Sequence, residues 1–379
     1  MARSWDIFCE VVDNFGDVGV TWRLARQLAG EYGQQVRLWI DDLPAFARLN
    51  PQADIRAARQ VLSGVEVYHW IPEWQDVEPA DVVIEAFACQ LPKGFTVAMA
   101  QCAKPPLWLN LEYLSAEDWV AGCHALPSLQ SNGLSKFFFF PGFTPDTGGL
   151  LRERGLLERR DRFQADPSAR RAFLRSLGIE TLLNERLMSL FCYELPALGQ
   201  WLQPLAESAL FTRLLVPEGR ILKNLGAWLG VETLRAGDTH VRGALTIQIV
   251  PFVSQEAFDC LLWCCDLNCI RGEDSFVRAQ WAGRPLLWHI YPQDDQVHLH
   301  KLEAFLSRYC AGLDNELSEH VRTVWLAWNT HQAPGLAWTA LLARLPALQA
   351  HAERWCRTLA GQVDLAGQLV AFAASQLDD

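Results

Sequence analysis

Short apolar runs, each long enough for one strand, alternate with helical or loop segments along two stretches of this chain. In the first stretch the runs span 5–12, 35–40, 65–70, 81–87 and 107–111. In the second they span 187–193, 213–217, 245–252, 266–270 and 285–290. Such runs are typical of strands buried on both faces of a parallel sheet. The alternation predicts an α/β protein with two doubly wound, Rossmann-like domains.

The chain has 379 residues, which is too many for one ordinary core and also favours two domains. We expect an N-terminal domain over 1–155 and a C-terminal domain over 181–360. The segment 156–180 begins in a region rich in Arg and Glu, so we expect an interdomain linker with some helix. Because ligands bind at the carboxyl ends of the strands in such sheets, the expected site is a cleft between the domains.

Charge and cysteine content limit the classes of partner and compartment. The formal net charge is −11, which argues against nucleic acid and anionic membranes as partners, since both favour basic patches. Eleven cysteines, mostly within apolar runs and without a two-pair C-x-x-C spacing, are typical of reduced thiols. The sequence also has no apolar signal core and no stretch that approaches the length of a membrane span. We therefore expect a soluble, cytoplasmic protein.

The first predicted strand runs into an acidic turn at 13–19. Asp13 and Asp17 stand four residues apart there, and Gly16 and Gly19 let the backbone come close to a ligand. The glycine spacing differs from the dinucleotide fingerprint, and Asp17 would repel a pyrophosphate. Two carboxylates at the carboxyl end of a strand suit a general base with a supporting acid. They equally suit a helix N-cap and a turn residue, so this motif alone does not establish chemistry.

A second polar turn follows the strand predicted at 266–270. Arg271 precedes an expected helix start at Asp274 or Ser275, both of which are good N-caps. A helix start presents unpaired N–H groups, and Arg271 adds a forked cationic donor, so this turn suits a phosphate. The alternative is a capping box ahead of a core helix, with Arg271 paired to a nearby acid. The functional interpretation gains weight because the two turns lie at homologous ends of two domains.

Aromatic residues recur at strand ends of the second domain, where they can stack on a nucleobase. They are Phe191, Tyr193, Phe252 and Tyr291. Gln255 can hydrogen-bond a base edge. Each of these residues alone is more often part of a core, but together they indicate a nucleotide site.

No metal site is expected. The spacing of His298 and His300 suits neither one helix face nor a familiar zinc pattern. The Asp-x-Asp tripeptide, through which many transferases hold a nucleotide by way of Mg²⁺, does not occur in the chain. A leaving phosphate would then have to be neutralised by Arg271 and the helix start.

The turn at 13–19 together with the turn at 271–276 resembles the EarP family, bacterial protein-arginine rhamnosyltransferases that modify translation elongation factor P. The resemblance covers the whole chain. It implies a GT-B fold, with two Rossmann-like domains facing a central cleft and a C-terminal helix, 361–379, crossing back to the first domain. It also implies dTDP-β-L-rhamnose as donor, one arginine of the elongation factor as acceptor, inversion at the anomeric centre, and no cofactor or metal.

The same resemblance implies roles for individual residues. Asp17 is similar to the general base of the family, Asp13 to its neighbour on the acceptor side, and Glu273 to a third essential acid. The pyrophosphate seat that it implies consists of Arg271, Asp274 and Ser275. The other donor-binding residues that it implies are Phe15, Gly16, Phe191, Tyr193, Phe252, Gln255 and Tyr291.

Two other functions stay open at this point. A GT-B transferase with another acceptor, such as a lipid-linked sugar, would need an apolar or basic face for membrane docking, which the acidic composition disfavours. A non-catalytic nucleotide-sugar-binding partner of the translation machinery would keep the aromatic site. Such a partner would have no use for the pair formed by Asp13 and Asp17.

Overall fold

The computed structural model contains two largely parallel β-sheets flanked by helices. It describes residues 2–12, 15–71 and 77–378, with the side chain of Asp294 excepted. The chain divides into two units, Met1–Arg154 with Leu359–Asp379, and Gly155–Thr358. Each unit has its own sheet, so the predicted α/β class with two Rossmann-like domains is confirmed.

The first unit is built on an eight-stranded sheet of order β3-β4-β2-β1-β5-β6-β8-β7. Its strands are β1 (Ser4–Cys9), β2 (Gln35–Ile40), β3 (Arg59–Leu62), β4 (Val65–His69), β5 (Val82–Ala86), β6 (Leu107–Leu111), β7 (Pro127–Leu129) and β8 (Ser135–Phe139). Its described helices are α1 (Gly16–Tyr32), α2 (Leu43–Leu49), α3 (Lys93–Gln101), α4 (Trp119–Cys123) and, from the end of the chain, α15 (Leu365–Leu377). Neighbouring strands are parallel except in the outer pairs β3·β4 and β7·β8.

The second unit is built on a six-stranded sheet of order β11-β12-β10-β9-β13-β14, in which only β11 is antiparallel to its neighbour. Its strands are β9 (Arg186–Leu190), β10 (Thr212–Pro217), β11 (Thr239–Arg242), β12 (Leu245–Val250), β13 (Leu267–Arg271) and β14 (Leu286–His289). Its α-helices among the described residues are α5 (Leu156–Ala165), α6 (Pro167–Ser176), α7 (Leu198–Ala206), α8 (Leu222–Leu229), α9 (Gln255–Cys264), α10 (Asp274–Ala282), α11 (Val297–Tyr309), α12 (Asn315–Asn329), α13 (Gly335–Ala343) and α14 (Leu345–Ala360).

The strands that the apolar runs predict are present in both sheets, because central strands such as β5 and β13 are buried along their whole length. The sequence analysis missed β3, β7 and β11, the antiparallel strands at the sheet edges. These strands are short and largely exposed, as at Val61, Leu129 and Val241, so they lack a continuous apolar run. The sequence therefore predicts those strands that are buried on both faces, because only they form a continuous apolar run.

The segment 156–180, which we expected to be a linker, is an integral part of the second unit. It forms α5 and α6, and the Arg170 guanidinium donates to the carbonyl oxygen of Cys264 at 2.6 Å. The ring of Phe163 contacts that of Trp263 on α9, with centroids 5.7 Å apart. A segment rich in arginine looks like exposed linker in the sequence, but Arg160 and Arg170 both donate to backbone carbonyls of this unit.

The end of the chain contributes to the core of the first unit. Leu365 and Leu369 of α15 are fully buried in the cluster that contains β1 and α1. Asp364 caps α15 by accepting from the Gly367 amide at 3.1 Å, and it also accepts from the Tyr32 hydroxyl at 3.2 Å. Burial and this carboxylate raise the pKa of Tyr32 to about 12, so the phenol stays a donor.

The structure shows the state of the cysteines and the length and hydropathy of the helices. All eleven cysteines are free, and eight of them are buried. Burial raises the pKa of the Cys192 and Cys265 thiols well above its ordinary value, which keeps them protonated. In the part of the chain that the structure describes, no helix is both long enough and apolar enough to cross a membrane.

A buried ion pair fixes helix α10, which carries the second polar turn, to α9. Arg278 donates from Nε to Oδ1 of Asp259 at 2.9 Å and from Nη2 to Oδ2 at 2.6 Å. Both side chains are more than nine-tenths buried. Arg278 lies one turn after the start of α10, so the pair holds that end of the helix in place.

We expect Asp259→Ala to lower the free energy of unfolding by about 3–5 kcal/mol, because it leaves the Arg278 guanidinium buried without this carboxylate. Chemical denaturation followed by circular dichroism measures the change. Glu180→Ala is the matched control, since it breaks an exposed pair with Arg175 and should have no measurable effect. Equal losses in the two variants would contradict the role given to burial.

Candidate functional site

Each sheet reverses its strand order once, and the candidate residues lie beside that reversal. In the first sheet it falls between β1 and β5, and in the second between β9 and β13. Ligands of doubly wound sheets bind outside the carboxyl ends of the strands at such switch points. Asp17 follows β1, Tyr193 follows β9, and Arg271 is the last residue of β13. Topology therefore places the two polar turns at the ligand-binding position of their own units.

In the first unit, the Asp17 carboxylate is held at the start of α1. Its side chain is buried, and Oδ2 accepts from the Val12 amide at 2.9 Å. The Tyr113 hydroxyl lies 3.4 Å from Oδ1. The N-cap of α1 is Phe15, so Asp17 lies within the first turn and is not the cap that one interpretation of the sequence proposed. A carboxylate in the first turn of a helix is stabilised by the helix dipole.

Two other residues of the turn at 13–19, Phe15 and Gly16, lie close to Asp17 in the sequence. Phe15 and Gly16 are half-buried, and the Arg48 guanidinium lies 5.8 Å from the centroid of the Phe15 ring. Asp13 lies outside the described residues, so its pairing with Asp17 stays a prediction.

In the second unit, the turn after β13 has a different geometry from the one predicted. Gly272 adopts a left-handed conformation, with φ 65°, and its carbonyl accepts from Trp288 Nε1 at 2.8 Å. The N-cap position of α10 is Glu273, whose side chain makes no capping hydrogen bond. The predicted caps, Asp274 and Ser275, are instead residues of the first turn. The helix itself begins at Asp274, one of the two predicted starts, and Glu273 takes the cap position after the Gly272 turn.

Arg271 is a buried cation without a matching anion among the described residues. Its guanidinium carbon lies 4.8 Å from the centroid of the Phe191 ring and 4.7 Å from that of Tyr193. Nη1 is buried and has no hydrogen-bond partner in the described residues. A buried donor without an acceptor is costly, more so when it is charged. This geometry disfavours the alternative in which Arg271 pairs with a nearby acid, and it suits an anionic ligand.

The structure brings most of the other predicted residues of this unit to the same edge of the sheet. The ring of Tyr193 meets that of Tyr291 edge to face at 5.6 Å, and Phe191 packs against Phe258. Gln255, predicted to read a base edge, is the first residue of α9, and its Nε2 lies 3.4 Å from Oδ2 of Asp274. The remaining predicted residues are half-buried, Phe252 in the loop before α9 and Ser275 in the first turn of α10.

Sequence reasoning missed His289, which ends β14 directly opposite Arg271 in the strand register. The imidazole is buried, and neither ring nitrogen has a partner among the described residues. Burial lowers its pKa to about 3, with His331 and Arg271 adding to the effect, so the ring is neutral. Its ring contacts that of Tyr193 at 5.3 Å. A single histidine in an apolar run gives no signal in the sequence, because its neighbours come from other strands.

Comparison with known proteins identifies what the chain resembles. A family model described as elongation-factor P (EF-P) rhamnosyltransferase EarP matches residues 5–374. A protein-arginine rhamnosyltransferase of Pseudomonas aeruginosa is 60% identical over 374 residues, which cover 99% of this chain and 100% of the relative.

Two solved structures agree with this result. One is described as the structural basis for EarP-mediated arginine glycosylation of translation elongation factor EF-P. It is 43% identical to this chain, with a TM-score of 0.73, and the match covers 99% of this chain and 100% of the solved chain. A glycosyltransferase from Rickettsia africae is only 10% identical but has a TM-score of 0.57 over 100% of this chain and 99% of its own. The first likeness confirms the predicted GT-B fold, and the second supports it at the level of fold alone.

We expect acid to destabilise the protein in part through His289. Below about pH 6.5 the unfolded imidazole binds a proton that the folded one, with its lowered pKa, does not bind, so stability falls as pH falls towards 3. Between pH 7 and pH 5 this group should cost about 2 kcal/mol of unfolding free energy. Urea denaturation at both pH values should show a correspondingly smaller loss for His289→Gln. His300→Asn, which changes an exposed histidine, should keep the wild-type dependence, and an unchanged dependence in His289→Gln would refute the assignment.

Proposed function

Because this chain belongs to the EarP family of elongation-factor P rhamnosyltransferases, we propose that it transfers rhamnose from dTDP-β-L-rhamnose to an arginine side chain of translation elongation factor P. The observation that carries the chemistry is Arg271, whose buried Nη1 has no acceptor among the described residues and lies at a ligand-binding switch point. A diphosphate would supply that acceptor. A cytoplasmic location fits an acceptor that belongs to the translation machinery.

The second unit is proposed to bind the donor. Arg271 and the start of α10 would face the diphosphate and stabilise the negative charge that grows on it as the sugar leaves. Because these groups supply the positive charge, the proposed reaction needs no metal ion and no cofactor. The thymidine and the sugar would be bound by side chains around this turn: Phe191, Tyr193, Phe252, Gln255, Asp274, Ser275 and Tyr291.

The first unit is proposed to activate the acceptor. A guanidinium is protonated at neutral pH and is a poor nucleophile, because its lone pair is delocalised. The Asp17 carboxylate would bind it, orient one nitrogen and take up a proton as the C–N bond forms. Asp13 would be a second carboxylate for the same cation, and Phe15 and Gly16 would lie beside the donor sugar.

The proposed displacement inverts the anomeric carbon. The nitrogen–carbon bond forms as the bond from that carbon to the phosphate oxygen breaks, dTDP leaves with the electron pair, and Asp17 holds the proton. The sugar passes through a state with oxocarbenium character, as in glycoside hydrolysis. Glu273, which is half-buried at the N-cap of α10, would stabilise that positive charge or bind a sugar hydroxyl.

The direct test mixes the protein, dTDP-β-L-rhamnose and elongation factor P and follows the mass of the acceptor. Addition of one deoxyhexose to one arginine supports the proposal. Modification of a lipid-linked acceptor alone, or donor binding without transfer to any acceptor, would replace it with one of the two other functions considered from the sequence.

We expect Asp17→Asn to lower turnover by at least about a hundredfold, because it removes the proposed general base. The affinity for dTDP, measured by isothermal titration calorimetry, should stay at its wild-type value, since the donor residues are unchanged. Near-normal turnover in this variant would show that Asp17 is not the base.

We expect Arg271→Met to weaken dTDP binding and to lower turnover by about a hundredfold or more. The same change should leave the free energy of unfolding of the ligand-free protein unchanged or higher, because it removes a buried charge that no anion of the described residues matches. Arg278→Met is the matched control, since that buried arginine is paired and its loss should destabilise the fold. Loss of stability in Arg271→Met without loss of dTDP affinity would indicate a structural arginine.

A further inference from the structure

The loop that follows β5 is held in an unusual backbone conformation next to Asp17. Phe87 and Ala88 are consecutive non-glycine residues with φ of 58° each, in the left-handed region. Residues with a β-carbon rarely adopt this conformation, and it persists only where the surrounding structure fixes it. Strain of this kind concentrates at functional sites.

Hydrogen bonds from the neighbouring strand fix this loop. The Phe87 amide donates to the carbonyl oxygen of Leu111 at 2.7 Å, and the Ala88 amide donates to Oδ1 of Asn110 at 3.2 Å. Asn110 is buried within β6, so it provides a rigid anchor. Behind the loop, the Cys89 thiol donates to the carbonyl oxygen of Phe8 at 3.3 Å.

The strained conformation places the Phe87 ring against Tyr113, which lies two residues beyond β6. The two rings are stacked, with centroids 4.6 Å apart and planes inclined by 19°. Both side chains are only half-buried, so the stack borders the carboxyl edge of the sheet and is not part of the core. A stack of this geometry restricts the direction in which the Tyr113 hydroxyl points.

That hydroxyl points at the Asp17 carboxylate. It lies 3.4 Å from Oδ1, while Oδ2 accepts from the Val12 amide. The distance is long for an O–H···O hydrogen bond, as is common in catalytic sites without substrate, where such bonds tighten when the substrate binds. With a donor near each oxygen, the carboxylate is restrained in both position and rotation.

We propose that Tyr113, braced by the strained Phe87, is a positioning residue that orients the Asp17 carboxylate towards the acceptor guanidinium. This inference rests on the proposed function, in which Asp17 is the general base. In this arrangement the Tyr113 hydroxyl donates to Oδ1 and turns the carboxylate towards the acceptor nitrogen. The backbone strain of Phe87 and Ala88 is thereby linked to the orientation of the base.

The test is Tyr113→Phe, which removes the hydroxyl and keeps the ring stack. We expect kcat to fall about tenfold, the effect of one hydrogen bond, while dTDP affinity and the free energy of unfolding stay unchanged. The acid limb of the kcat/KM profile should move to higher pH, because a donor that favours the ionised carboxylate has been lost. Tyr68→Phe is the matched control, since the Tyr68 hydroxyl donates to Oε2 of Glu66 at 2.9 Å elsewhere in this unit, and it should leave kcat unchanged.

A second variant, Phe87→Leu, removes the stacking ring and leaves the hydroxyl. It should lower kcat in the same direction, again with unchanged dTDP affinity. A wild-type kcat and pH profile in Tyr113→Phe would overturn the inference, and so would a loss of kcat accompanied by an equal loss of stability.

The Asp17→Asn variant separates failure of this inference from failure of the proposed function. If Asp17→Asn kept near-normal turnover, Asp17 would not be the general base and the proposed mechanism would fail. If Asp17→Asn were inactive and Tyr113→Phe fully active, only the role of Tyr113 would be refuted.

Discussion

The buried guanidinium of Arg271 lies against the rings of Phe191 and Tyr193, where no carboxylate of the described residues neutralises its charge. Arg278, seven residues later in the chain, shows how a buried arginine of this fold is otherwise neutralised. Arg278 is equally buried, but both oxygens of Asp259 satisfy it, so it contributes to the fold. The buried charge of Arg278 is thus neutralised within the fold, whereas the proposed partner of Arg271 is an anionic ligand.

The topology of the sheets explains which residues of the candidate site could be proposed from the sequence. Strands buried on both faces read as continuous apolar runs, and the turn after each such run lies at the carboxyl edge where ligands bind. Arg271 was therefore found directly after a run, and Asp17 in the turn that follows another. The edge strands β3 and β11 were missed because their exposed residues give no such pattern.

The parts of the site that the sequence did not reveal depend on contacts between distant strands. His289 is significant only because β14 pairs with β13, and Tyr113 only because β5 and β6 bring the Phe87 loop beside it. The cap of α10 was misassigned for a related reason. Trp288 of β14 donates to the Gly272 carbonyl, and the cap position next to this turn falls on Glu273, so Asp274 and Ser275 lie inside the first turn.

The place of α15 in the core of the first unit affects the order in which the two units can fold during synthesis. Leu365 and Leu369 share a core with Ile7 of β1, although more than 350 residues separate them from it. The strands of the first sheet leave the ribosome before α15, so the part of the core that Leu365 and Leu369 fill lacks them while Gly155–Thr358 is synthesised. The first unit therefore stays incomplete until the whole of the second has left the ribosome.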